Sequence, residues 1–257
     1  MNIMIINGSP KKKGGASAFF ANLLRLMLFS HKATAISTGI SKDYREVFDN
    51  LQNADAVVAS VPLYVDSIPA HFIPLLQQME QYCKNNTCKF MFYVISNAGF
   101  VGGHHNQAHL EQYHCWCERA HITWGGGLGI GGGVILHVLY KIMFIWTGVQ
   151  IVTAIINNIF ADTPNIESVI NNILPDLINC IILMLFFYCG MLFYEFILAW
   201  AITNKRSVKN KYTRVMLPSF IFIIFANIFM ALTGLLHGKP IFSLFKKVNN
   251  TISLQEE

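Results

Sequence analysis

Strand-length runs recur along the first half of this chain, each stopped by a loop and followed by a segment of helical period. Ile3–Ile6, Lys32–Ser37, Ala56–Val61 and Lys89–Ile95 are the first four, and a fifth, at Ile122, runs into the glycines of ITWGGGLGIGGG. Ala56–Val61 is apolar without alternation, as a strand buried on both faces should be. Helical segments lie between the runs. One is opened by Ser17, and a second, Ser41–Asn53, carries Tyr44, Val47, Phe48 and Leu51 on one face. Phe72–Tyr82 is led in by Pro69, and Asn106–Ala120 follows the fourth strand. Strands alternating with helices in this way predict a doubly wound parallel α/β sheet of five strands. Ligands of such sheets sit outside the carboxyl ends of the strands. Three loops fall there: Gly8–Ser17, Pro62–Ile68 and Ser96–Gly103.

The first of these loops reads NGSPKKKGGAS. A helix start has unpaired N–H groups and a positive dipole end, and it attracts a phosphate. Gly14 and Gly15 let the backbone approach, Ser9 and Ser17 offer hydroxyls, and Lys11, Lys12 and Lys13 add charge. The loop has neither the GxxxxGK[ST] order of a P-loop nor the GxGxxG dinucleotide fingerprint.

GSP, a basic residue, glycines and a hydroxyl residue at the helix start resemble the flavodoxin-like NAD(P)H-dependent FMN reductases. PLYVDSIPA is similar to that family's P-x-Y-x-x-x-x-P segment, and SNAGFVGG to its small-residue loop after the fourth strand. WCERAHITWGGGLGIGGG is similar to a stretch of flavodoxin-family oxidoreductases. The resemblance covers Met1 to Gly133 and implies the strand order 2-1-3-4-5 with non-covalent FMN. It implies that Ser9, Lys11, Ser17 and Ala18 take the phosphate. Pro62, Leu63, Tyr64 and Val65 would frame the ring on one side, and Asn97, Ala98, Gly99 and Gly102 on the other. NADH or NADPH would be the donor, stacked on the flavin with no dinucleotide motif of its own. The flavin carries such chemistry, so no catalytic side chain is expected. Family relatives often dimerise, which makes a homodimer an expectation. One departure is plain: Ala18, Phe19 and Phe20 stand where many relatives place a hydrogen-bonding residue, which leaves only backbone N–H groups there.

Composition divides the chain in two. Over 257 residues 53% are hydrophobic and only 13% charged, against about 25% charged in an ordinary soluble protein. The net charge of +5 forms no basic stripe interleaved with aromatics, and nucleic-acid binding is not expected. Six cysteines without a CxxC pair exclude a zinc ribbon and a thioredoxin motif, and reduced, buried thiols are the expected state. HHNQAHLEQYHCWC places His105 and His109 on one helix face, but with no second ligand cluster a metal is not expected.

After Gly133 the texture changes, which divides the chain into an α/β domain, 1–133, and a membrane region, 134–257. Val134–Phe160, Ile173–Thr203 and Val215–Leu236 are each long enough to span a hydrocarbon core about 30 Å thick. The first connector carries Asp162 and Glu167, and the segment at 204–214 carries Lys205, Arg206, Lys209, Lys211 and Arg214. By the positive-inside rule the basic segment is cytoplasmic, and with no signal peptide ahead of it the N-terminal domain is too. Lys239, Lys246 and Lys247 oppose an external tail, so the third segment spans, re-enters or lies in the interface. Lys141 and Glu195 each fall about 10–12 Å deep by helical rise. They read as an intramembrane ion pair, as a proton or quinone site, or as a snorkelling lysine beside a protonated acid.

A multi-pass membrane protein with a cytoplasmic FMN-dependent NAD(P)H oxidoreductase domain is therefore expected, its electrons passing to a quinone, a small molecule or a membrane partner. The alternatives are a flavodoxin-type electron carrier and a non-catalytic membrane interaction protein built on the same scaffold.

Overall fold

The computed structural model describes residues 1–11, 14–40, 43–86, 88–160, 165–216, 218–236 and 238. Lys12, Lys13, Ser41, Asp162, Lys239, Lys246 and Lys247 lie outside the described residues. Strands β1 (Asn2–Asn7), β2 (Lys32–Ser37), β3 (Ala56–Pro62), β4 (Met91–Asn97), β5 (Thr123–Ile130) and β6 (Lys211–Tyr212) form one parallel sheet. Its order is β2-β1-β3-β4-β5-β6. The first five strands follow the flavodoxin-like order 2-1-3-4-5. The sixth corrects the expected count of five: Lys211 and Tyr212 pair with Leu128 and Gly129, too short a run to leave a strand signal in sequence.

Period two splits the strand side chains between the faces. Met4, Ile6, Val57, Ala59, Val61, Phe92 and Val94 share a core with α2 (Arg45–Leu51), α3 (Ile73–Asn85) and α4 (Gln107–Arg119). On the other face lies α1 (Ala16–Met27), which buries Ser17, Phe20, Ala21 and Leu24. The α3–β4 connection is closed by a disulfide between Cys83 and Cys88, which corrects the expectation of reduced thiols throughout. Their five-residue separation spans a single turn, a spacing that no common motif marks.

The second helix covering the α1 face comes from the apolar half of the chain. Helix α6 (Ile166–Thr203) buries Tyr188, Met191, Glu195, Leu198, Ala199, Ala201 and Ile202, a helical stripe confined to its last sixteen residues. That end is pinned at the amino edge of the sheet. Tyr93 donates its hydroxyl to the carbonyl of Arg206 at 2.9 Å, and Lys205 pairs with Asp55 at 2.7 Å. The same end begins where α5 (Gly133–Ile159) leaves the sheet, because the Tyr188 hydroxyl donates to the Leu136 carbonyl.

Between these points the two helices run antiparallel as a hairpin, joined by the contacts Gln150–Asp176 at 2.8 Å and Thr147–Cys180 at 3.4 Å. The hairpin is thus inserted into the α/β unit rather than appended to it. One compact unit runs Met1–Met216, past the expected boundary at Gly133, and Leu217–Glu257 forms a second containing α7 (Ser219–Leu236). Gly133–Ile159, Val169–Thr203 and Ser219–Leu236 are long and apolar enough to cross a membrane.

This geometry separates Lys141 from Glu195. Measured from the Leu136–Tyr188 contact, Lys141 lies five residues out along the hairpin and Glu195 seven residues the other way. At the α-helical rise they stand about 18 Å apart along the axis, too far to pair. Glu195 is fully buried beside the backbone of Leu24, with no ion-pair partner among the described residues. Lys141 is exposed. A double-mutant cycle of Lys141→Gln and Glu195→Gln, followed by thermal unfolding in detergent, should therefore give a coupling energy within about 0.5 kcal/mol of zero.

Candidate functional site

Asn97, the last residue of β4, gathers the carboxyl-end loops. Its side-chain amide donates to Ser17 Oγ and to the Val61 carbonyl, both at 2.9 Å, and its own carbonyl accepts from Leu63 N–H at 2.9 Å. One residue thereby ties the start of α1, the end of β3 and the loop after β3 to its own strand. The start of α5 closes over it. A Cβ on Gly133 would stand 2.8 Å from Asn97 Cβ, so only glycine lets α5 begin there.

The loop after β1 is an open glycine cradle. Gly14 and Gly15 hold φ of 77° and 86°, in the left-handed region where glycine is favoured. No side chain caps α1, which leaves its first N–H groups facing the loop. Among the described residues, nothing beyond its chain neighbours lies within 4 Å of where a Cβ on Gly14 would stand. Lys11 is exposed at its rim. The two hydroxyls are engaged inside the loop. Ser9 Oγ accepts from Lys11 N–H at 3.3 Å, and Ser17 is buried against Asn97. Each keeps its own hydrogen to donate. Ala18 is half-buried on the first turn. The backbone N–H groups at the start of α1 and the Lys11 charge are the groups there that could hold an anion.

The loop after β3 is a tight turn in which Ser67 N–H donates to the Tyr64 carbonyl at 3.2 Å. Val65 and Asp66 at its centre have φ of 49° and 54°. A β-branched residue in that region is strained by about 1–3 kcal/mol, and strain of this kind collects at functional loops. Tyr64 is half-exposed and Val65 stands 97% exposed, while Pro62 is buried in the strand and Leu63 is partly covered. In the loop after β4, Ala98 is buried, Gly99 and Phe100 are exposed, and Gly102 is partly covered. A Cβ on Gly99, like one on Gly14, would have nothing beyond its chain neighbours within 4 Å among the described residues.

A buried network missing from the sequence reading holds the loop after β4. Ser96 Oγ donates to Asn106 Oδ1 at 2.6 Å and stands 2.7 Å from His109 Nδ1. A serine has one hydrogen to give, so His109 must donate from Nδ1, which leaves Nε2 the unprotonated nitrogen. Asn106 then donates to the carbonyls of Gly103 and Ile130. The histidine run thus divides by burial: His105 lies tilted against Phe100, His104 stacks on Tyr212, and His109 is inside. No metal-holding group of three or more His, Cys, Asp or Glu occurs among the described residues. The one legible signal for His109 was its i+3 spacing from Asn106, in the helical segment that follows the strand carrying Ser96.

Burial pushes the His109 pKa down to about 4. The unfolded chain takes up a proton near the ordinary histidine value, so the folded state loses stability as pH falls from about 6.5 towards 4, by about 3 kcal/mol. Stability is full above that window. Chemical denaturation at pH 7 and pH 4.5 should show the loss, and His109→Gln should flatten it.

No family model matches the sequence, and no curated protein matches it. Solved structures resemble it over about half its length. The Trp repressor binding protein from Bacillus subtilis has 14% identity and a TM-score of 0.40, covering 49% of this chain and 81% of that one. An NADPH-quinone reductase from P. pentosaceus has 15% identity and a TM-score of 0.37, covering 48% and 81%. An NADH:FMN oxidoreductase has 15% identity and a TM-score of 0.38, covering 47% and 69%. The flavodoxin-like assignment rests on the chain's own strand order.

Proposed function

We propose that this chain is a membrane-anchored FMN-dependent NAD(P)H oxidoreductase whose acceptor is a quinone, a small molecule or a membrane partner. The observation that carries the reading is the assembly made by Asn97: an open, uncapped glycine cradle held beside two loops at the carboxyl edge of a flavodoxin-like sheet. Lys11 and the N–H groups of Ser17 and Ala18 would hold the FMN phosphate, with Ser9 shaping the turn. The Tyr64 side chain and the Val65 backbone are free to line one side of the ring, backed by Pro62 and Leu63. Gly99 and Gly102 bring backbone to the other side, with Asn97 and Ala98 fixing the loop beneath. FMN bound there would supply hydride acceptance and onward electron transfer. The protein's part is to position it, and no side chain is assigned a proton. The three candidate spans support the anchor, and the basic segment at 204–214 favours a cytoplasmic α/β unit by the positive-inside rule.

An FMN titration of the detergent-purified protein, followed by flavin fluorescence, tests this reading. FMN should bind more tightly than riboflavin by about 1.5–3 kcal/mol, the worth of charge-assisted hydrogen bonds to the phosphate. Lys11→Glu should weaken FMN and leave riboflavin unchanged. Equal affinity for the two flavins, or no binding of either, contradicts the reading. FMN binding without NADH or NADPH oxidation by any acceptor would favour the electron carrier.

A further inference from the structure

The hairpin leaves the α/β unit at the same edge as the candidate site. Gly133, where α5 starts, donates its N–H to the Ala98 carbonyl at 2.9 Å, beside Asn97 at the carboxyl end of β4. Beyond the Leu136–Tyr188 contact, α5 continues to Ile159 and α6 reaches back to Ile166. Each length is about 33 Å by helical rise, close to the thickness of a bilayer's hydrocarbon core. Apart from Met143, none of the described residues on this stretch is buried within the protein. The first turns of α5 beyond that contact carry His137, Tyr140 and Lys141, the first two packed against Phe19 of α1, and these are aromatic and cationic types found where a span meets the headgroups.

Each of the neighbouring loops at this edge has an exposed apolar side chain among its described residues. Ile40 after β2 is 72% exposed, Val65 after β3 97% and Phe100 after β4 56%. Val65 also occupies the strained centre of its turn. A bulky apolar residue gains nothing from water at such a position. The amino edge differs: apart from Leu26 and Phe29 at the end of α1, it presents Lys32, Asn53, Lys89, His121 and Lys205.

We propose that the carboxyl edge of the sheet rests against the phospholipid bilayer, with the tips at Ile40, Val65 and Phe100 seated among the headgroups. The hairpin fixes the edge at that height, and the tips continue its apolar surface across the mouth of the candidate site. The seat stands on geometry alone and does not depend on flavin. Where the flavin reading also holds, the site opens towards the membrane, and its acceptor approaches from the lipid side.

The test uses the full-length protein with Cys115, Cys180 and Cys189 replaced by serine, and a single cysteine introduced in turn by Ile40→Cys, Val65→Cys, Phe100→Cys or Asn53→Cys. Each variant is labelled with an environment-sensitive fluorophore and reconstituted in phosphatidylcholine–phosphatidylglycerol vesicles. Some of the vesicle lipid carries a nitroxide just below the glycerol. Labels at 40, 65 and 100 should lose most of their emission to the nitroxide, and the label at 53 should keep its own. Three independent positions guard against one variant failing to fold. Quenching at the carboxyl-edge positions no greater than at 53 overturns the proposal. Quenching without FMN binding would leave the seat standing and remove the flavin reading, so the two failures are distinct.

Discussion

The arrangement of this molecule depends on one buried amide. Asn97 spends both hydrogens of its side chain on groups from other segments, Ser17 Oγ and the Val61 carbonyl. A buried amide left without partners costs about 1–3 kcal/mol, so the two acceptors are held wherever Asn97 is held. Its position is fixed in turn by the start of α5 at Gly133 and by the network of Ser96, Asn106 and His109 behind it. The start of α1, the strained turn and the glycine loop thus form one linked edge rather than three independent loops. Linkage of that sort suits a cofactor whose chemistry needs only placement.

The apolar half of the chain shares in that edge. Helix α6 changes character along one rod: its first part is unburied within the protein, and its last sixteen residues carry a buried stripe. Met191, Leu198 and Ile202 each remove a side chain worth about 1.5–3 kcal/mol from water. Together that is comparable to the whole net stability of a typical domain, about 5–15 kcal/mol. The α/β unit is therefore incomplete without a segment that lies beyond the hairpin in sequence.

The first five strands and four helices were legible because strand length and helical period are local properties, and because the loops carry glycine and proline where the chain turns. The site loops were placed correctly at the carboxyl edge for the same reason. The engagement of Asn97 and Ser17 with each other was not legible, because both residue types are equally good ligands for a phosphate or a flavin. The return of α6 onto the sheet was hidden by composition: in a helix this apolar, a buried stripe and a lipid-facing surface look alike. Glu195 was read as an intramembrane charge on that account, although its place is against α1. Strand β6 was hidden by its brevity and by the basic segment around Lys211, whose charge the positive-inside rule already explains.

The central claim is that the apolar hairpin interrupts a single α/β unit. Two shortened chains separate the possibilities most directly: Met1–Gly133 alone, and Met1–Met216 with residues 138–186 replaced by a short glycine–serine link between the adjacent ends at His137 and Phe187. Far-UV circular dichroism through a urea titration reads the outcome. If the hairpin is an insertion, the second chain is soluble and unfolds in one cooperative transition, whereas the first lacks the α6 cover and β6 and shows none. A cooperative transition in Met1–Gly133, with none in the hairpin-deleted chain, would contradict it.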